Sequence, residues 1–350
     1  MTRCRVALQR SGWSLIVAGL VSAAGCSGQS PAASASPPAA TTAPAATTAV
    51  GKIERLDPAF DALVAPAAVI EKVAGGFQFT EGPLWRPDGT LWFSDVQGNV
   101  VRSVTPDGKV TVLIENAGGR STAPAGSFIG PNGMAQAPDG SVWMVQHFNR
   151  QIVRINADRS MTPIVSRFEG KRLNSPNDLV FAKDGSSYFT DPPYGLLKQD
   201  DDPGKELKFN GVYRFADGRV QALVRDLNRP NGLAFSPDFK RLYVNNSDPA
   251  RNLVMRYDVA ADGTLSNGRV FADLTSKTDG LADGLKVDAQ GNVYTTGPGG
   301  VWVLSAEGKH LGTVAPPEVP ANCGWGEDGK TLYMTAATGI YRIRTLVGKP

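Results

Sequence analysis

The stretch EGPLWRPDGTLWFSD (81–95) reads as a short apolar strand, a turn built on Asp-Gly, and a second strand carrying an aromatic. The pattern returns as NGMAQAPDGSVWMVQ (132–146), NDLVFAKDGSSYFTD (177–191), NGLAFSPDFKRLYVNN (231–246), DGLKVDAQGNVYTTG (283–297) and NCGWGEDGKTLYMTA (322–336). The starts of the six copies are 51, 45, 54, 52 and 39 residues apart. Six units of this length, each rich in hairpins, predict an all-β fold, a six-bladed β-propeller. The Asp-Gly pairs and Gln290-Gly291 supply the positive-φ positions that tight hairpins need. Two further strands follow each of the first five units, for example NVVRSV (99–104) and KVTVLI (109–114). The sixth has only GIYRIR (339–344). An unfilled edge there would be an aggregation hazard. The spare strand VIEKVA (69–74) precedes the first repeat and is expected to complete the last blade, closing the ring from the N-terminal side. Before it, DPAFDALV (57–64) reads as one short helix with Asp57 as N-cap and Pro58 at N1.

Composition agrees. Gly and Pro make up 64 of 350 residues (39 and 25), which suits a turn-rich chain better than a helical bundle. At 41% apolar the chain can fill a large core. Three Cys and two His exclude a disulfide scaffold and a zinc site of clustered thiols and imidazoles. The net charge of +3 comes from Arg3, Arg5 and Arg10, so it marks an export signal and no nucleic-acid footprint. Residues 13–25 (WSLIVAGLVSAAG) form an apolar run too short to span a bilayer, which reads as the core of a secretory signal at 1–25. The run AAGC ends on Cys26 and resembles a lipoprotein cleavage site. Residues 26–52 hold an Ala/Pro/Thr-rich stretch that reads as a tether, leaving 53–350 as the folded domain. The expectation is an exported lipoprotein of a bacterial cell envelope, at the periplasm or cell surface, touching membrane only through lipid on Cys26.

Each repeat opens on a polar residue: Glu81, Asn132, Asn177, Asn231, Asp283 and Asn322. Equivalent positions of all blades fall on one ring around a propeller's channel. Two carboxylates and several amide oxygens converging there make a hard-oxygen site of charge about −2, suited to Ca²⁺, with other divalent cations possible. Asn or Asp before Gly is also a common turn element. Glu81 has no such local role, so the metal reading rests mainly on Glu81 with Asp283. His147 ends the second strand of its repeat, near the same mouth, as a proton carrier, a hydrogen-bond partner for substrate, or a structural residue. Asp95 and Asp191 end second strands there too, Asp191 read either as orienting ligands or as capping its turn, and Tyr194 is placed to wall the pocket. The acidic run Asp200, Asp201 and Asp202 lies in a long insertion (192–210), read either as a solvated loop or as a lid. No GxSxG elbow, phosphate loop, haem motif or dinucleotide fingerprint is present.

The motifs FTEGPLW (79–85), GKRLNSPND (170–178), YFTDPPYG (188–195), RPNGLAFSPD (229–238), LADGLKVD (281–288) and GPGGVWV (297–303) resemble the gluconolactonase branch of the regucalcin/gluconolactonase/luciferin-regenerating family. The resemblance spans about residues 53–345. It implies a six-bladed calcium propeller whose metal ligands fall on Glu81, Asn177, Asn231 and Asp283. It also implies a small-molecule lactone as substrate, opened by metal-assisted attack of water, with Asp283 or His147 taking the proton. Asn132, Asp191 and Tyr194 are the expected substrate contacts. Regucalcin-type members carry Arg two residues before the Asn matching Asn177; here the residue is Ser175, so their sugar contacts do not transfer. Two other readings stay open: a phosphotriesterase or aryl esterase on the same site, and a non-catalytic ligand-binding propeller. No protein partner is implied.

Overall fold

The computed structural model describes residues 48–350. The signal segment, Cys26 and most of the tether lie outside the described residues. Six antiparallel blades follow one another along the described residues, with a two-stranded ribbon, Arg167–Phe168 and Lys171–Arg172, between the second and third. Blade one runs Thr80–Trp85, Leu91–Asp95, Val100–Val104 and Val110–Glu115, in spatial order. Blades two to five open on Pro131–Gln136, Leu179–Phe181, Pro230–Phe235 and Leu285–Val287, and each continues through three more strands. Blade six is Pro320–Gly326, Thr331–Ala336 and Gly339–Arg344, then Ile70–Gly75 from the start of the domain. The opening strands touch their neighbours in cyclic order, the sixth meeting the first. The ring is therefore closed, and the spare N-terminal strand fills the last blade through pairs such as Ile340 with Ala74 and Ile343 with Ile70.

The hairpin that defines the repeat has one cause in every blade. An Asp side chain accepts the backbone N–H two residues on: Asp88 from Thr90, Asp139 from Ser141, Asp184 from Ser186, Asp238 from Lys240, Asp288 from Gln290 and Asp328 from Lys330. This local bond tightens the turn, and glycine then takes the positive φ, 81° to 88° at Gly89, Gly140, Gly185, Gly291 and Gly329. In the fourth blade Phe239 stands there at φ 62°, its ring stacked on Phe235 at 5.2 Å. The core is a series of layers between successive blades. Fully buried tyrosines on second strands, Tyr188, Tyr243, Tyr294 and Tyr333, are among its largest side chains.

The N-terminal segment does more than the sequence suggests. Asp57 caps a 3-10 turn at Pro58–Ala62, as expected. The described residues begin inside the span read as tether. Ala49–Val50 adds a fifth strand to blade six, and Lys52–Arg55 adds a fifth to blade five, paired with His310–Ala315. Gly51 makes the crossing at φ 70°, where a Cβ would lie 2.2 Å from the Ala315 carbonyl oxygen. Val50 and Ile53 pack on the cluster around Phe60, and Arg55 donates to the carbonyls of Val64 (2.8 Å) and Ala65 (2.7 Å). The segment clasps the two blades beside the closure. Among the described residues no helix is long and apolar enough to cross a membrane.

Candidate active site

The opening strand of a blade starts at the channel mouth. In blades one, two, four and six its pairing slips by a residue or two, between Glu81 and Leu84, Pro131 and Met134, Pro230 and Leu233, and Pro320 and Asn322. Such bulges re-aim side chains, and here the slipped residues include the ring positions. The residue after them is glycine for a reason other than turn formation. A Cβ on Gly82 would lie 2.2 Å from the Asn132 carbonyl oxygen, and one on Gly232 would lie 2.3 Å from that of Asp283. Neighbouring blades are then tied backbone to backbone: Gly133 N–H to Asn177 O, Gly232 N–H to Asp283 O, and Gly284 N–H to Ala321 O, at 2.8–2.9 Å. The Asn-Gly pairs are close-approach points between blades, not turns.

Five of the six ring residues line one cavity of about 200 Å³: Glu81, Asn132, Asn177, Asn231 and Asp283. The sixth, Asn322, sits outside it and donates to Glu81 Oε2 at 2.8 Å, which also accepts the Gly82 N–H at 2.7 Å. His147 and Tyr194 line the cavity as expected. Gln199 lines it too, so the 192–210 insertion forms wall at its inner side. Arg229 pins that insertion through an ion pair with Asp200 and a 3.3 Å bond to Gln199 Oε1. Ser175, which stands where the Arg was missed, accepts the Gly195 N–H at 2.7 Å and so fixes the turn that presents Tyr194.

Asp191 is a correction. It does not line the cavity. Its two oxygens accept the N–H groups of Asn174 and Ser175 at 2.7 Å each, and its carboxyl, pushed up to about 7 by burial, shapes the segment leading to Asn177. Asp95 likewise serves the backbone, accepting from Gln78 and Phe79 at 3.1 Å.

Several residues were missed. Phe79, Phe128 and Leu281 give the mouth an apolar side, the two rings meeting edge to face at 4.9 Å. Ser247 accepts from Asn231 Nδ2 at 2.9 Å and donates to the Ala282 carbonyl at 2.6 Å, joining blade four to the approach to Asp283. Asp178 is buried close enough to perturb Asp283 electrostatically. The signal for it was present: where other repeats place Gly or Cys after the ring residue, the third places Asp.

Burial raises all three acids. Glu81 is 2% exposed and pushed up to about 7, against the pull of its bonds from Asn322 and Gly82. Asp283 is held well above the carboxylate range by burial first, then by the charges of Glu81 and Asp178. Asp178 is raised by burial, with Lys286 opposing. Three buried carboxyls with a single opposing lysine need protons or a cation. The donor set suits a hard cation. Asp283 Oδ1 and Asp178 Oδ2 are buried carboxylate oxygens without hydrogen-bond partners. Among the described residues no three acidic, His or Cys side chains form a metal cage by themselves. Any metal would therefore draw on the amide oxygens as well. Larger surface grooves exist, one of about 620 Å³ around Trp92, Arg154 and Arg159, and another of about 450 Å³ where Asp200, Asp226 and Asp248 stand among Lys205, Lys208, Arg225 and Arg229.

Residues 79–338 match the family model described as the SMP-30/Gluconolactonase/LRE-like region. The gluconolactonase of Zymomonas mobilis is 38% identical over 308 residues, covering 85% of this chain and 86% of that protein. The diisopropyl-fluorophosphatase of Loligo vulgaris is 22% identical over 287 residues, covering 75% of this chain and 87% of that protein. A solved gluconolactonase from Xanthomonas campestris has a TM-score of 0.74 at 32% identity, covering 85% of this chain and 97% of that one. A closed six-bladed ring, a convergent acid–amide mouth and this likeness over most of its length together place the chain in the SMP-30/gluconolactonase/LRE-like family.

Proposed function

We propose that this protein hydrolyses lactones, with sugar lactones such as glucono-1,5-lactone as the leading class and Ca²⁺ as the resident cation. The observation that carries the reading is the convergence of Glu81, Asn177, Asn231 and Asp283 in one cavity, in a chain 38% identical to a gluconolactonase. Those four residues would hold the cation, which when bound polarises a carbonyl oxygen as a Lewis acid. The remaining chemistry belongs to the chain. Water attacks the lactone carbonyl carbon, and Asp283, which lines the cavity and whose Oδ1 has no hydrogen-bond partner, takes its proton. The ring C–O bond breaks, and the departing alkoxide is protonated to give the open hydroxy acid. Tyr194, kept protonated by burial and by Asp283 nearby, presents a hydrogen-bond donor at the same wall. The half-apolar mouth of Phe79, Phe128 and Leu281 favours a second reading, an aryl ester or phosphotriester substrate.

A panel of sugar lactone, aryl ester and phosphotriester, followed by acid release with and without EDTA, decides among these. Fastest, EDTA-sensitive turnover of the lactone supports the first reading, and affinity without acid release supports a non-catalytic binder. The same proposal places the protein outside the cytoplasm on a lipid anchor at Cys26. Palmitate should label the wild-type chain and leave Cys26→Ser unlabelled; equal labelling would remove the anchor.

A further inference from the structure

His147 is 1% exposed and sits between two partners. Its Nδ1 lies 3.2 Å from the Phe128 carbonyl oxygen, and its Nε2 lies 3.4 Å from Asn132 Nδ2. A carbonyl oxygen only accepts, so Nδ1 carries the proton. No carboxylate contacts the ring, and burial keeps the imidazole neutral, its pKa lowered to about 4. Nε2 is then an acceptor, and the Asn132 atom facing it is the amide nitrogen. The other end of that carboxamide follows. Asn132 is 4% exposed, lines the cavity, and its Oδ1 has no partner.

The imidazole has no freedom to turn. His147 N–H donates to Gly130 O and Phe148 N–H to Ile129 O, both at 3.1 Å, binding the strand end to the loop that carries Phe128. Gly195 packs on the other side, where a Cβ would lie 2.6 Å from His147 Cβ.

We propose that His147 is a positioning residue: held as the Nδ1–H tautomer by the Phe128 carbonyl, it turns the Asn132 carboxamide so that Oδ1 faces the cavity and accepts a hydroxyl of the bound substrate. The hydroxyl contact rests on the lactone reading above; the tautomer and the amide orientation do not. One loop thereby supplies both the aromatic side of the mouth and the anchor that orients its polar side. Proton transfer is left to other groups.

Two measurements on the full-length protein test this. Long-range ¹H–¹⁵N spectra report imidazole tautomers directly, and His147 and His310 are the two histidines, so His310→Gln assigns them. The expected result is a neutral Nδ1–H ring for His147 at pH 6 to 8. An Nε2–H or doubly protonated ring overturns the proposal. Kinetics on glucono-1,5-lactone then compare Asn132→Ala, His147→Phe and the double variant. Each single variant should raise KM roughly tenfold, the loss of one hydrogen bond to substrate, and more for this lactone than for unhydroxylated δ-valerolactone. The double variant should lose no more than Asn132→Ala, since His147 acts only through Asn132. His147→Gln, whose Oε1 can still accept from Asn132, should restore much of the loss. A further fall in kcat in the double variant would assign His147 to proton transfer and defeat the proposal. Should the wild-type protein open no lactone, the lactone reading fails, while the spectra still decide the His147–Asn132 geometry.

Discussion

Asp283 is fixed from every side except the one that faces the cavity. Its N–H donates to Thr296 Oγ1 at 3.0 Å, its carbonyl accepts from Gly232 N and Asn245 Nδ2, and its Oδ1 is left unpartnered. Replacing it with Asn keeps the shape and removes the base. We expect Asp283→Asn to lower kcat at least a hundredfold while its melting temperature stays close to wild type; near-normal turnover would free Asp283 of the proton-accepting role. The acids also predict a proton count. In the cation-free protein Glu81 is raised from its ordinary 4.5 to about 7, so the folded state binds more protons than the unfolded state over that range. The stability this contributes is present at low pH and is lost as pH climbs through about 7. Cation-free protein should therefore weaken between pH 5 and 8, and Ca²⁺ should reverse the loss. Binding must release protons, because the cation and the proton compete for the same oxygens. Calorimetry in buffers of different ionisation enthalpy at pH 6.5 would show the release, and a proton-neutral titration would mean the cation binds elsewhere.

The blade's opening strand is where sequence and structure part company most usefully. The hairpin after it was legible, because an Asp bonding two residues ahead and a glycine at positive φ act locally. The repeat count, the strand that closes the ring and the convergence of the ring positions were legible for the same reason: they follow from periodicity. Asn132-Gly133 and Asn231-Gly232 look like turns by the same local rule, yet the glycines answer to a neighbouring blade remote in sequence. Which of its two possible roles Asp191 takes was illegible for a related reason. Its place at the end of a second strand was right, but which way its carboxylate turns depends on the free N–H groups of Asn174 and Ser175. Phe128 and Ser247 carried no pattern at all, since their roles come from loop packing. The close approach makes its own prediction. Gly232→Ala would press a methyl to within 2.3 Å of the carbonyl oxygen of Asp283, with backbone on both sides. We expect it to lower stability by about 1–3 kcal/mol, as overpacking does, and to lower activity beyond that by shifting Asp283. Gly232 is not among the positive-φ glycines, so the clash acts there alone; Gly170→Ala, at φ 78° with nothing near its Cβ position, gives by contrast the left-handed backbone cost without a clash. Full activity in Gly232→Ala would show that the inter-blade contact does not set the geometry of the base.

A propeller is a ring without a hub, so its weakest joint is where first and last blades are sewn together. Here the seam is doubled. Ile70–Gly75 completes blade six, and the chain before it runs outside as Ala49–Val50 and Lys52–Arg55, covering one strand edge on blade six and one on blade five. Between these lies Phe60, fully buried, with Leu63 and Val64 beside it. Removing residues 1–56 leaves Ile70–Gly75 and the 3-10 turn in place but strips both outer strands and the two carbonyl bonds of Arg55. The truncated protein should melt several degrees lower and aggregate more readily through its two bared edges. Phe60→Ala in the longer chain should cost about 3–5 kcal/mol, because it hollows the layer under the seam rather than its cover. The cavity is built on opening strands and the clasp on outermost ones, so the lactone turnover of either variant, measured well below its melting point, should stay near that of the parent. If truncation left melting unchanged, the outer strands would be mere attachments that add nothing to the seam. If it abolished turnover in folded protein, the seam would be coupled to the mouth across the full width of two blades.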